Sequence, residues 1–152
     1  MRFFIQLSLI LSIAFLTACG RYPQDARGTL EEALNDTLKV GVAIHEGWVM
    51  IQNDEPKGRE VLLTKAFAKE LNATIEWFVA DESELVPLLE KGEIHMLIGG
   101  FTKNSPWKKH VGFTNPYIKV DNKQHVIAIP PGENAFLMRL EQFLNEYQNI
   151  KE

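Results

Sequence analysis

His45, Glu46 and Trp48 follow the apolar run Leu38-Lys39-Val40-Gly41-Val42-Ala43-Ile44. Gly99-Gly100-Phe101-Thr102 follow a second run, Ile94 to Ile98. These two segments carry residue types suited to holding a small molecule. Imidazole, carboxylate and hydroxyl groups donate and accept hydrogen bonds. Indole offers a flat, largely apolar face, and paired glycines let a ligand approach the backbone closely. Trp107 stands nearby in Ser105-Pro106-Trp107, where Ser105 caps a short helix opened by Pro106. Such a turn presents free N–H groups and a positive dipole end to an anion. The plainer reading of Trp48 and Trp107 is packing in the core or at its rim, and that of Gly99-Gly100 is close helix packing. No catalytic machinery is legible: the single cysteine, Cys19, stands apart from four scattered histidines, and neither a nucleophile–base pair nor a carboxylate pair appears. His45-Glu46 lacks a second pair at ligand spacing, so no metal and no cofactor is expected. The formal net charge is −4 and no Lys/Arg run exceeds Lys108-Lys109, so nucleic acid is not an expected partner.

The elements that must position these residues follow from periodicity. Thr29 to Asn35 reads as a short helix and Leu38 to Ile44 as a strand covered on both faces. His45 to Lys57 reads as loop, with a short extended piece at Trp48 to Ile51. Gly58 to Asn72 is a helix with Val61, Leu62, Ala66, Phe67 and Leu71 on one face. Thr74 to Val79 is a strand. Asp81 with Glu84 has the form of a capping box for a helix striped by Leu85, Leu88 and Leu89 and ended by Lys91-Gly92. Ile94 to Ile98 is the third strand, with His95 packing at its start. Tyr117 to Val120 and Gln124 to Ile129 are two extended segments, back to back across Asp121-Asn122-Lys123, with Pro116-Tyr117 fixing the turn into the first. After Pro130-Pro131-Gly132, Asn134 to Gln148 is a helix burying Phe136, Leu137, Leu140, Phe143, Leu144 and Tyr147. Strand, helix, strand, helix, strand argues for a parallel α/β sheet covered on both sides. Ligands of such sheets bind beyond the carboxyl ends of the strands, which is where His45 to Trp48 and Gly99 to Thr102 project.

The N-terminus carries different chemistry. Arg2 precedes an apolar run from Phe3 to Leu16, too short to span a bilayer and of the length of a secretory signal. The run ends Leu16-Thr17-Ala18-Cys19-Gly20, which resembles the lipobox of bacterial lipoproteins. That resemblance implies a signal peptide over residues 1–18 and a lipid-bearing thioether on Cys19. A polar tether then covers residues 19–28 and one folded unit residues 29–152. Several acyl chains on one residue hold a protein to a membrane stably. Gly20 after the cysteine implies, by the same resemblance, the periplasmic side of the outer membrane where the cell has one.

The run from Gly92-Glu93-Ile94-His95-Met96-Leu97-Ile98-Gly99-Gly100-Phe101-Thr102, through Val111-Gly112-Phe113-Thr114-Asn115-Pro116-Tyr117, to the strand ending at Ile129 resembles the ligand-facing edge of the bacterial extracytoplasmic solute-binding proteins, family 3, the branch serving polar amino acids. The resemblance covers about Leu38 to Tyr147. It implies a three-layer sandwich: one lobe of a type II periplasmic binding protein, mainly parallel, with antiparallel hinge-derived strands. It also implies that Asp121-Asn122-Lys123 stands where relatives insert a second lobe. The residues after the first strand would then contact the ligand's side chain or amine. Thr102 would supply the hydroxyl that grips its carboxylate, while the arginine that assists in relatives has no counterpart in Thr102-Lys103-Asn104-Ser105-Pro106-Trp107. His45, Glu46, Trp48, Gly100, Phe101, Thr102, Trp107 and Tyr117 are the candidate ligand residues. The partners implied are a small polar solute, a transporter permease or a receptor. A second reading is an envelope interaction or sensory protein that uses the open face for a protein partner or a second copy of itself.

Overall fold

Residues 24–149 are described by the structure, a computed structural model. The expected signal segment, Cys19 and the tether up to residue 23 lie outside the described residues. In chain order the elements are α1 (Thr29–Ala33), β1 (Thr37–Val42), β2 (Met50–Gln52), β3 (Glu55–Lys57), α2 (Arg59–Glu70), β4 (Thr74–Val79), α3 (Glu82–Lys91), β5 (Met96–Ile98), a 3-10 helix (Pro106–Lys109), β6 (Gly112–Phe113), β7 (Ile118–Val120), β8 (Lys123–His125), β9 (Ala128–Ile129) and α4 (Asn134–Asn149).

The main sheet has the order β4-β1-β5-β9-β6. β1 runs parallel to β4, from Thr37↔Thr74 to Val42↔Val79, and parallel to β5, from Val40↔Met96 to Val42↔Ile98. β9 joins β5 antiparallel at Leu97↔Ala128, and β6 continues antiparallel beyond it. Side chains alternate across a strand, and β5 displays this directly. Met96 and Ile98 enter a core layer with Phe67, Phe136, Leu140 and Phe143 from α2 and α4, while Leu97 enters the opposite layer with Leu85 and Leu89 from α3. The expected three-layer architecture is therefore present.

Several local expectations differ from the structure. The segment from Gln124 to Ile129 divides, with β9 joining the main sheet while β8 pairs with β7 in a separate hairpin. Its turn is the two residues Asp121 and Asn122, at φ 47 and 61; both positive, they match the twist of a tight antiparallel hairpin. The extended piece expected at Trp48 to Ile51 is β2, shifted to Met50–Gln52, and it pairs with an unexpected β3 in a second hairpin across Asn53 and Asp54, at φ 52 and 59. Along α2, Leu62 is 63% exposed, and the buried face carries Glu60, Leu63 and Thr64 with Val61 and Phe67. Asp81 caps α3 without a side-chain hydrogen bond, so the expected capping box is not formed. The other end follows expectation: Gly92 closes α3 in the left-handed region at φ 75.

Candidate functional site

The site is built where β1 and β5 end. After β1 the chain folds back tightly: the N–H groups of Trp48 and Val49 donate to His45 O at 3.0 and 2.9 Å, and His45 N–H donates to Val49 O at 3.0 Å. That turn carries Trp48 back over the end of β5, where the indole packs against Gly100. A Cβ on residue 100 would come to 2.7 Å from the indole Cγ and Cδ1, and φ there is +69°, so glycine is required on both counts. Trp48 also stacks on His125 with ring centroids 3.7 Å apart, meets Tyr117 edge-on at 6.4 Å, and has the Arg59 guanidinium 5.0 Å from its ring centre.

Beneath this aromatic group lies a buried carboxylate. Glu60 is 1% exposed. Its Oε2 accepts the N–H groups of Gly99 and Gly100, each at 2.8 Å, and its Oε1 accepts the Tyr117 hydroxyl at 2.5 Å. Burial pushes the Glu60 carboxyl above its usual range, against the opposing pull of these three donors. Burial, with the Glu60 charge next in importance, pushes the Tyr117 phenol far up, so it remains a donor. Burial lowers the His125 imidazole, which is therefore neutral at pH 7. His125 Nδ1 lies 3.2 Å from Gly100 O; a carbonyl only accepts, so Nδ1 carries the proton.

The structure brings Trp48, Gly100 and Tyr117 together in one cluster. His45 and Glu46 stand exposed at its rim, and Thr102 is half-buried in a bridge to His125. Phe101 lies elsewhere: it is 4% exposed, in the α3-side core, 6.4 Å from the Phe113 ring. Trp107 packs against that same core and donates its indole N–H to Glu82 Oε2 at 2.6 Å, so its polar atom is committed to α3. The 3-10 helix is capped as expected, with Trp107 N–H donating to Ser105 Oγ at 3.3 Å, which occupies one of the N–H groups expected to be free. Gly99 and Gly100 likewise spend their N–H groups on Glu60.

Glu60, Arg59 and His125 escape the sequence reading. An acid in the first turn of a helix reads as a partner of the helix dipole, so nothing in the neighbouring sequence sets Glu60 apart. Ile44 and Val79, 64% and 46% exposed, sit at the ends of neighbouring strands on the same edge. A groove of 170 Å³ runs from Thr102 to the β7–β8 hairpin. Among the described residues no group of three His, Cys, Asp or Glu is placed to hold a metal, and no helix is long and apolar enough to cross a membrane.

Known proteins agree with this architecture. Residues 38–150 match the bacterial extracellular solute-binding proteins, family 3. The chain is 27% identical over 139 residues to the probable histidine-binding protein of Neisseria gonorrhoeae, covering 89% of this chain and 50% of that one. It is 27% identical over 117 residues to membrane-bound lytic murein transglycosylase F of Idiomarina loihiensis, covering 76% of this chain and 25% of that one. The chain thus spans half or less of each of these relatives. The arginine-bound form of domain 1 from TmArgBP, of T. maritima, superposes with a TM-score of 0.66 at 25% identity, over 72% of this chain and 92% of that domain. The ancestral amino acid-binding protein AncCDT-1 superposes at 0.71 with 16% identity, over 80% and 94% of the two chains, a likeness of fold. The match over residues 38–150 and the sheet order together show that the chain belongs to the bacterial extracellular solute-binding proteins, family 3, of which it carries one lobe.

Proposed function

We propose that this chain is the solute-binding lobe of a lipid-anchored extracytoplasmic protein, held at the membrane through Cys19 and working with a transporter or receptor. Its solute would be small and polar, taken at the carboxyl edge of β1 and β5. The observation that carries this reading is the wall at that edge. Trp48, His125 and Tyr117 pack together over a Glu60 that is hydrogen-bonded on both oxygens, with His45, Glu46, Arg59 and Thr102 around them. Such a wall orients a ligand without rearranging. The likeness to a probable histidine-binding protein supports an amino acid as the solute class, and the T. maritima domain was solved with arginine. The reading is one of binding, without a catalytic step.

One lobe offers one wall, whereas tight small-molecule sites bury roughly 70–90% of their ligand. The monomer should therefore bind weakly, with a dissociation constant near 1 mM, equivalent to about 4 kcal/mol. Calorimetry of the monomer against a panel of amino acids tests this, and micromolar affinity would refute the one-wall argument. A second reading rests on Ile44 and Val79, whose exposure at the same edge suits a protein partner or a second copy. A solution mass above the monomer, abolished by Ile44→Lys, together with no response to any solute, would favour it.

A further inference from the structure

The groove beside Thr102 has a charge that the chain as a whole does not. It is lined by Thr102, Lys103, Asn104, Lys119, Asn122, Lys123 and Gln124, with three lysines and no carboxylate, although acids outnumber bases 20 to 16 in the full sequence. None of the three lysines takes part in the ion pairs of the described residues. Their frame is fixed by backbone: Lys103 N–H donates to Gln124 O at 2.9 Å, Thr102 bridges His125, and Lys119 faces Gln124 across the β7–β8 ladder. The neighbouring polar groups are Asp121 in the hairpin turn, which does not line the groove, and His45, Glu46 and Arg59 at the aromatic wall.

The volume decides how much of a ligand fits. At 170 Å³ the groove is smaller than complete ligand sites of roughly 300–1,000 Å³, so it can seat an acidic head group and not a whole solute. Ammonium groups, a hydroxyl and side-chain amides are the donors such a group requires. They stand next to the loop where the solute edge and the hairpin meet.

We propose that this groove receives the acidic end of a small anionic solute, a carboxylate beyond the α-carboxylate or a phosphate, so that the chain selects anions over cationic amino acids. The proposal rests on the Thr102 edge being the solute side. It sets the chain apart from the probable histidine-binding protein of N. gonorrhoeae and the arginine-bound T. maritima domain.

NMR titration of the full chain at low ionic strength, with L-glutamate, L-glutamine, L-arginine and inorganic phosphate, tests it. Glutamate and glutamine differ by one charge at nearly constant shape. Glutamate should shift the amides of residues 102–104 and 119–124 and bind at least about fivefold more tightly than glutamine. Lys103→Gln and Lys123→Gln should each weaken glutamate by about two- to fivefold, the range of single exposed ion pairs, with no effect on glutamine. High salt should do the same. Saturation by phosphate with no response to glutamate would assign the phosphate-bearing class. Arginine or glutamine binding as tightly as glutamate would overturn the anion proposal while leaving the solute-binding reading intact. Failure of all four probes to shift any amide would overturn both.

Discussion

Removing the Glu60 side chain tests the architecture of the site most directly. Glu60→Ala strands three donors at once: the buried N–H groups of Gly99 and Gly100 and the Tyr117 hydroxyl, now held at 2.8, 2.8 and 2.5 Å. A buried donor left without a partner costs about 1–3 kcal/mol. Three of them set an upper range near 9 kcal/mol, which relief of the buried charge offsets in part, so the expected loss is about 3–5 kcal/mol. Glu60→Gln separates loss of charge from loss of partners. Its oxygen can serve both glycine N–H groups while its amide donates to the Tyr117 oxygen, and the loss should be only about 1–2 kcal/mol. Urea unfolding at pH 7 measures both, as a shift of midpoint at unchanged slope. Linkage gives a further sign. Because burial raises the folded-state pKa of Glu60 above 4.5, the folded state holds that proton more tightly than the unfolded chain. Stability from this group therefore falls as pH rises from 4.5 through the raised value, and the gap between wild type and Glu60→Gln narrows over that window. The reasoning is refuted if Glu60→Ala unfolds within about 1 kcal/mol of wild type, or if Glu60→Gln is as damaging as Glu60→Ala.

Gly100→Ala should cost more than about 2 kcal/mol, because it adds overpacking against Trp48 to strain at positive φ; Gly47→Ala, at φ +81 with open space around its Cβ, should cost only about 1 kcal/mol, and equal effects would refute the packing argument. His95 and His125 should protonate below 6.5 in NMR titrations, since burial lowers both. The stability they contribute as neutral rings is present above 6.5 and lost as pH falls through that value and below it; a midpoint at or above 6.5 for either ring would contradict its burial. Cys19→Ser should move the protein from the membrane fraction to the soluble fraction on cell fractionation, and unchanged membrane association would remove the lipid anchor from the proposal.

The parallel core of the fold is legible in the sequence because β1 and β5 are mostly apolar runs and the amphipathic helices α2 and α3 lie between its three strands. Thr74 to Val79 forms where periodicity puts it, while β1 ends two residues before Ile44 and β5 begins two residues after Ile94. The hairpin at Met50 to Lys57 is harder to read, since its signal is only Asn53-Asp54 between short and largely exposed strands. The site is less legible than the fold for a related reason. Glu60 finds its partners 39, 40 and 57 residues away, so nothing local marks it as buried. Phe101 misleads in the opposite direction. It follows two glycines at a strand end, where a ligand residue would stand, yet its ring turns into the α3-side core.

The same Glu60 constrains where an anion can be recognised. Two adjacent backbone N–H groups at the end of a central parallel strand would ordinarily be offered to a ligand's negative group. Here one carboxylate oxygen takes both of them, and the other oxygen fixes the tyrosine that abuts Trp48. A solute acid competing for those N–H groups would have to displace a buried and fully bonded carboxylate, leaving that charge unpaired, a change that costs several kcal/mol. Under the anion proposal, a ligand acid would therefore be met outward along the same loop, past the buried Phe101, at the Thr102 hydroxyl and the lysines beyond it. The internal carboxylate and the basic groove are in this sense two halves of one arrangement. The first occupies the inner N–H groups and ties Tyr117 to the strand end, and the second would supply the donors for a solute acid.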